Sequence, residues 1–313
     1  MEDVLANMKK ILFIVAMFLS MGAYGQGEIL SFGVGGGVNT ILFDPVLDRP
    51  LDNGVMNSDV PFLPGFTLSS RYVFFFQNKN IGVGSGVDFL QYRSRATLDG
   101  CVVTPSYDYE NGQSFDLIET YMGWKEKEFI FAFEFPLGLY YKVPFSEKAN
   151  MIVGAGGKLE VPIFSRYEIY EGSYSVSGYY PQTNVVIHDL PHHGFVNSDP
   201  YASGGIKTKL AFSVYGEIGL NFSISEKLMF YSGLYCNYGL TSVFDDKKKS
   251  VPELSDDFFV DTKGLFASRI VDKVQLFSVG LKLGVSLPSN NRDQVSSGTK
   301  SKVDTTPRQT KIE

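Results

Sequence analysis

The chain has 313 residues, a formal net charge of −6, 14% aromatic residues, 32 glycines and two cysteines. That acidic balance argues against a nucleic-acid partner, and two cysteines are too few for a disulfide framework. No segment after residue 25 approaches the roughly 18 uninterrupted apolar residues of a membrane-spanning helix, which excludes an exported helical membrane protein.

Residues 1–25 read as an export signal. Lys9-Lys10 precede a short apolar run from Ile11 to Met21, and Ala23-Tyr24-Gly25 supplies small residues for cleavage before Gln26. Glu2 and Asp3 are unusual in a basic leader, so Met8 is an alternative start. No cysteine follows the run, which argues against a lipid anchor. Removing residues 1–25 leaves the net charge at −6, because Glu2 and Asp3 cancel Lys9 and Lys10.

From residue 29 the dominant signal is alternation. Side chains on a strand point alternately to opposite faces, so a period of two gives one oily and one polar face. The first predicted strand, 29–43, has Phe32, Val34 and Leu42 on one face and Ser31, Gly33 and Asn39 on the other. The polar stretch 44–61 follows. Strand two, 62–77, turns Phe66, Leu68, Tyr72, Phe74 and Phe76 outward, and Lys79-Asn80 reads as a two-residue hairpin turn. Strand three, 81–96, puts Val83, Val87 and Phe89 outward and Asp88 and Tyr92 inward. Residues 97–127 read as a long polar loop with a strand extension around 115–122.

Strand four, 128–145, aligns Phe129, Phe131, Phe133, Phe135, Leu137, Leu139, Tyr141 and Val143 on one face, with Glu134 and Lys142 opposite. Strand five, 150–170, sends Met151, Val153, Leu159, Val161, Ile163 and Tyr167 one way and Lys158, Glu160 and Arg166 the other. A loop at 171–206 is rich in Tyr, Ser, Gly and Asn. Strands six and seven lie within 207–244, joined at Ser225-Glu226-Lys227. Leu210 to Ile224 is 15 residues of alternation, longer than the roughly 9–11 that a tilted transmembrane strand needs. A charged stretch, 245–272, leads to strand eight at 273–287. Residues 289–313 carry no aromatic residue and no period, and read as a disordered periplasmic tail.

The connections alternate long and short, as in an up-and-down barrel with short periplasmic turns and long external loops. The expected fold is therefore all-β: a transmembrane eight-stranded antiparallel barrel over 26–288, with four long extracellular loops, in the outer membrane. A soluble lipocalin-like or sandwich fold is the alternative. Its small interior would be overfilled by eight aromatic-rich faces, and its surface would be unusually rich in Gly and Ser.

The inward faces hold Arg71, Lys142, Lys158, Arg166 and Lys282 against Asp88, Glu134, Glu160, Glu168 and Glu217. Buried charges persist when partnered, and an eight-stranded barrel is just wide enough for side chains to fill. The expectation is a charge-zipped lumen; a proton or solute path is the alternative. With a two-residue turn at Lys79-Asn80, Arg71 stands directly opposite Asp88.

The predicted loops 44–61, 98–127, 171–205 and 245–272 carry −3, −4, −3 and −2, together −12. They read as a solvated acidic surface or as sites where divalent cations bridge to lipopolysaccharide phosphates. Tyr174, Tyr179, Tyr180, Phe195 and Tyr201, set among Ser, Gly and Asn, suit adaptable recognition, although such residues also pack loops together. His188, Asp189, His192 and His193 invite a metal reading, but Pro191 interrupts the helical spacing that would align them, and no metal or cofactor is expected. Glycine runs at 33–37 and 154–157 lie inside strands with no following helix and are not phosphate loops. No catalytic motif is present, and no enzyme activity is expected.

Phe135-Pro136-Leu137-Gly138-Leu139-Tyr140-Tyr141, Tyr238-Gly239-Leu240-Thr241 and Ser278-Val279-Gly280-Leu281-Lys282-Leu283 make residues 26–288 resemble the PorT-like outer-membrane β-barrel family of Bacteroidetes-type bacteria. The resemblance implies an eight-stranded outer-membrane barrel, and its named member is associated with a secretion and gliding apparatus. The chain differs in its longer loops and in a polar tail without a terminal aromatic residue. Three functions follow as expectations: a filled barrel whose acidic loops meet the surface or stabilise the envelope, a secretion-machine component with an envelope protein partner, and a narrow solute transporter.

Overall fold

The computed structural model describes residues 28–45, 52–57, 64–76, 80–109, 112–146, 148–198, 201–225, 227–244, 252–254, 260–262, 264–268 and 271–288. Residues 1–25, expected to be an export signal, and the expected tail 289–313 lie outside them. Eight antiparallel strands form a ring: Glu28–Pro45, Pro64–Phe75, Ile81–Asp108, Gln113–Ser146, Ala149–Tyr180, Ala211–Ser225, Leu228–Gly239 and Val271–Pro288. The first strand pairs with the eighth from Ile29↔Pro288 to Asp44↔Lys273, and the fifth with the sixth, so the ring has no open edge.

Closure has a physical cause in the outward faces. Phe32, Leu68, Leu139, Phe212, Leu234 and Leu281 are exposed, as are most outward residues beside them. Left in water, that band would be a severe liability. In hydrocarbon it is satisfied, and hydrocarbon in turn forbids an unpaired edge, because no water is there to bond the free N–H and C=O groups. A closed ring with an apolar exterior is the architecture of an outer-membrane barrel.

The ring is uneven in height. The third, fourth and fifth strands run 28, 34 and 32 residues, against 15 and 12 for the sixth and seventh. Their upper parts are the segments expected to be loop. Residues 97–108 pair with 113–125, and 116–125 with 171–179. Short strands extend this sheet on both sides: Asp52–Asn57 beside the third strand, and Val185–Ile187, Asn197–Ser198 and Ala202–Gly205 beside the fifth. Two of the four expected long loops, 97–127 and 171–206, are therefore mostly sheet. Gly123 (φ 59°) and Gly172 (φ 123°) face each other where this sheet bends, a backbone region open to glycine.

One irregularity inverts part of the wall. The fourth strand steps from Phe131↔Phe164 to Ala132↔Pro162, leaving Ile163 as the extra residue of a β-bulge. Ile163 and Phe164 both point outward, and beyond them the parity of the fifth strand reverses. Tyr167 is consequently buried, while Arg166 and Glu168 stand on the outside. This corrects the sequence expectation, which placed Arg166 and Glu168 in the lumen and Tyr167 on the membrane face.

Candidate functional site

The lumen is packed in three layers. At the bottom, Ile29, Val73, Phe75, Tyr140, Ile152, Tyr215 and Met229 form an apolar cluster. Across the middle lie Arg71, Lys158 and Lys282 against Asp88, Glu134 and Glu217. Arg71 contacts Asp88 at 3.0 Å and Glu217 at 3.5 Å. Lys158 bridges Asp88 at 2.9 Å and Glu134 at 2.7 Å, and Lys282 lies 3.7 Å from Asp88 and 3.8 Å from Glu217. Charges this deep need several partners, since an isolated one costs several kcal/mol, and each of these has at least one.

Aromatic rings line the same layer. Tyr92 donates to Glu134, the Tyr140 and Tyr215 hydroxyls are 3.0 Å apart, and Tyr215 lies under both Arg71 and Lys158 at 5.4 and 5.3 Å. Tyr235 sits 4.9 Å from the Lys282 ammonium and bonds the Thr67 hydroxyl. The cavity lined by Ser31, Arg71, Tyr140, Glu217 and Lys282 measures ≈ 30 Å³, room for a water or two at most.

Above the charges, Leu90, Tyr92, Ile130 and Leu276 begin a second apolar cluster that continues upward without a break into Leu98, Tyr121, Trp124, Tyr174, Val176, Tyr180 and Phe195. The mouth is closed by a short 3-10 turn, Leu265–Ala267, whose Leu265 and Phe266 are buried. Glu126, above the apolar belt, ties this turn down: Leu265 N–H donates to its carboxylate at 2.8 and 2.9 Å, and Trp124 Nε1 donates at 3.3 Å. Burial pushes the Glu126 carboxyl up to about 7. Glu128 is buried next to it on the same face, and burial together with the neighbouring Glu126 carboxyl raises its carboxyl well above the usual range. On the outer side, Glu171 bonds Lys125 at 2.8 Å and holds its ammonium above the usual lysine range.

Of the residues expected to form the lumen network, Arg71, Asp88, Glu134, Lys158, Glu217 and Lys282 meet. Glu160 is buried across from Glu134, outside the ion pairs. Lys142 keeps its inward parity but lies at the short-turn end of the barrel over the Phe75 ring (6.0 Å), and does not join them. Among the residues expected to serve loop recognition, Tyr174, Tyr180 and Phe195 are core: Tyr174 bonds Glu119 and Tyr180 bonds Asp108. Burial, and then the Asp108 bond, raise the Tyr180 hydroxyl. Only Tyr179 and the highly exposed Tyr201 keep surface area there. Around the histidines, Asp189 accepts from Asn197 and the His193 ring stacks on Phe195.

Sequence reasoning missed Glu126, Glu128 and the Leu265–Ala267 turn. A signal existed for each. Lys125-Glu126-Lys127-Glu128 alternates in sign with a period of two, and Leu265-Phe266-Ala267 is an apolar island in a charged stretch. Residues 125–127 and the apolar island fell in segments read as loop, and Glu128 at the first position of strand four.

No family model and no curated protein matches the chain. Solved structures do. Neisserial surface protein A is 10% identical over 83% of this chain and 96% of its own, with a TM-score of 0.32. Ail, the attachment invasion locus protein of Yersinia pestis, is 12% identical over 85% and 100%, at 0.31. A major outer membrane protein from Thermus thermophilus is 12% identical over 83% and 99%, at 0.33. Identities and scores at this level carry no functional inference; the barrel assignment stands on ring closure and the apolar exterior.

Proposed function

We propose that this outer-membrane barrel is an anchor and not a pore: a closed β-cylinder that holds a rigid extracellular sheet and works by contact, without catalysis. The observation that carries this reading is the continuity of packing from the lumen into the tall sheet. The cavity beside Arg71, Glu217 and Lys282 in the ion-paired middle layer is only ≈ 30 Å³, and the apolar cluster above it runs without interruption to Tyr180 and Phe195. A solute path would have to disrupt both. The acidic residues of the upper segments then belong to a displayed surface.

The test is conductance of the purified full chain in planar bilayers. Only baseline current is expected at physiological salt, and steady nanosiemens-scale steps would refute the anchor reading in favour of a transporter. The PorT-like resemblance of 135–141 and 278–283 supports a second reading, a secretion-machine component that meets an envelope protein. Site-specific crosslinking from 289–313 checks it: one dominant envelope protein among the products supports that role, and a diffuse set of products argues against it.

A further inference from the structure

Just above the apolar belt, the outer wall carries a cluster of cations that no lumen or loop role uses. Arg95 stands directly opposite Lys127, and Lys127 opposite Glu168; one step down, Arg93 and Arg166 flank Phe129. The result is four cations and one acid on three adjacent strands. None of the four makes an ion pair among the described residues. Like charges directly opposite each other on a sheet repel, so Arg95 facing Lys127 is unfavourable unless an anion lies between them. The bulge at Ile163 turns Arg166 out to this face.

The side chains are held in place. Arg93 lies over the Phe129 ring at 5.5 Å and reaches the Gln91 carbonyl, in the amide orientation that satisfies both, at 2.7 and 2.9 Å. Arg166 donates to Ser203 Oγ at 3.1 Å, and Lys127 sits 4.1 Å over the Tyr170 ring. Between them is a groove of ≈ 550 Å³ whose wall holds the four cations, Phe129 and Phe164, together with the carboxylates Glu128 and Glu168, so that cations outnumber acids four to two. Its floor is aromatic: Phe129 packs on Phe131 at 4.7 Å, and Phe164 lies 6.3 Å from both.

We propose that this groove binds the phosphorylated headgroup of an outer-leaflet lipid, with phosphate on the guanidinium and ammonium groups and acyl chains against the phenylalanines. The position decides for a lipid over a soluble anion, because the basic row and the apolar floor meet at the height where a lipid changes from charged to oily. Arginine favours phosphate through paired charge-assisted hydrogen bonds. The inference rests on the barrel lying in the outer membrane, which heat-modifiable electrophoretic mobility and flotation with phosphatidylcholine vesicles read independently of headgroup.

The experiment is native mass spectrometry of the detergent-solubilised full chain with diphosphorylated lipid A, its dephosphorylated form, and lipid A plus excess inorganic phosphate. Retention of the diphosphorylated form at least about tenfold above the dephosphorylated one is expected, persisting against inorganic phosphate. Arg93→Gln with Arg166→Gln should remove most of that difference, Arg93→Lys with Arg166→Lys should restore part of it, and Lys125→Gln should leave it unchanged. Equal retention of the two lipids by the wild-type chain overturns the proposal without any variant. Full displacement by inorganic phosphate overturns the lipid as its ligand.

Discussion

Arg71 donates to both carboxylate oxygens of Asp88, at 3.2 and 3.0 Å, although the two residues are not cross-strand partners. Arg71 faces Gly86 and Asp88 faces Ser69, a register two residues away from the direct opposition expected from a tight turn at Lys79-Asn80. Phe76 N–H bonds Ile81 C=O, which makes the connection longer than a two-residue turn. The pair forms because a slip of two preserves the face of every side chain, whereas a slip of one would have turned Arg71 into the membrane. A long arginine then spans the diagonal, with room above Gly86.

Arg71→Met should destabilise the barrel by about 3–5 kcal/mol, the usual cost of leaving a buried charge unpaired. Asp88→Asn should cost at least as much, because Asp88 also receives Lys158 and Lys282. The check is a double-mutant cycle on urea unfolding in lipid vesicles. A coupling energy indistinguishable from zero would contradict the pairing.

Tyr140 lies across two glycines on neighbouring strands, and a Cβ at either Gly84 or Gly154 would collide with its ring. Gly154→Ala is therefore expected to lower stability by about 1–3 kcal/mol through overpacking. Combined with Tyr140→Ala, the glycine substitution should become nearly neutral, since its obstacle is gone. Additive losses in the same unfolding assay would show that the ring is not what excludes a side chain there.

Trp124 is the only tryptophan and is fully buried in the upper cluster, so its fluorescence reports the tall upper sheet separately from the ring. Phe195→Ala empties a buried site and should weaken that sheet by about 3–5 kcal/mol. The expected readout is a red shift of Trp124 emission at lower denaturant, with heat-modifiable mobility of the barrel unchanged. Simultaneous loss of both signals would mean that sheet and ring unfold as one unit.

Glu126 titrates near 7 in the folded chain because burial disfavours its charged form, against about 4.3 for an exposed glutamate. The folded state thus holds the extra proton between these values, so this group's contribution to fold stability is full below about pH 4.3 and is lost as pH rises through 7, although the Leu265 N–H bond by itself favours the ionised carboxylate. Protection of the Leu265 amide, measured by hydrogen exchange and corrected for the intrinsic rate, should fall from pH 5 to pH 8. Glu126→Gln keeps a carbonyl acceptor and should flatten that slope. An unchanged slope in the variant would assign the pH dependence elsewhere, first to Glu128.

Except beyond Ile163 on the fifth strand, alternation was enough to decide which residues of the barrel wall face out and which face the lumen. Phe212, Val214, Ile218 and Leu220 are exposed, and Ala211, Ser213 and Tyr215 are buried, as a period of two requires. Strand number and the meeting of first and last strands follow from the same pattern, because eight one-sided ribbons in hydrocarbon must close. Tertiary structure decided what alternation leaves open. One additional residue at Ile163 reversed the parity of residues 165–169 and put Arg166 outside, until a second irregularity opposite 122–126 restored it. A two-residue register shift set which charges touch, and pairing between distant segments turned 97–127 and 171–180 from presumed loop into wall. Face preference is written in neighbouring residues, whereas register, bulges and strand extension depend on hydrogen bonds between segments far apart in the chain.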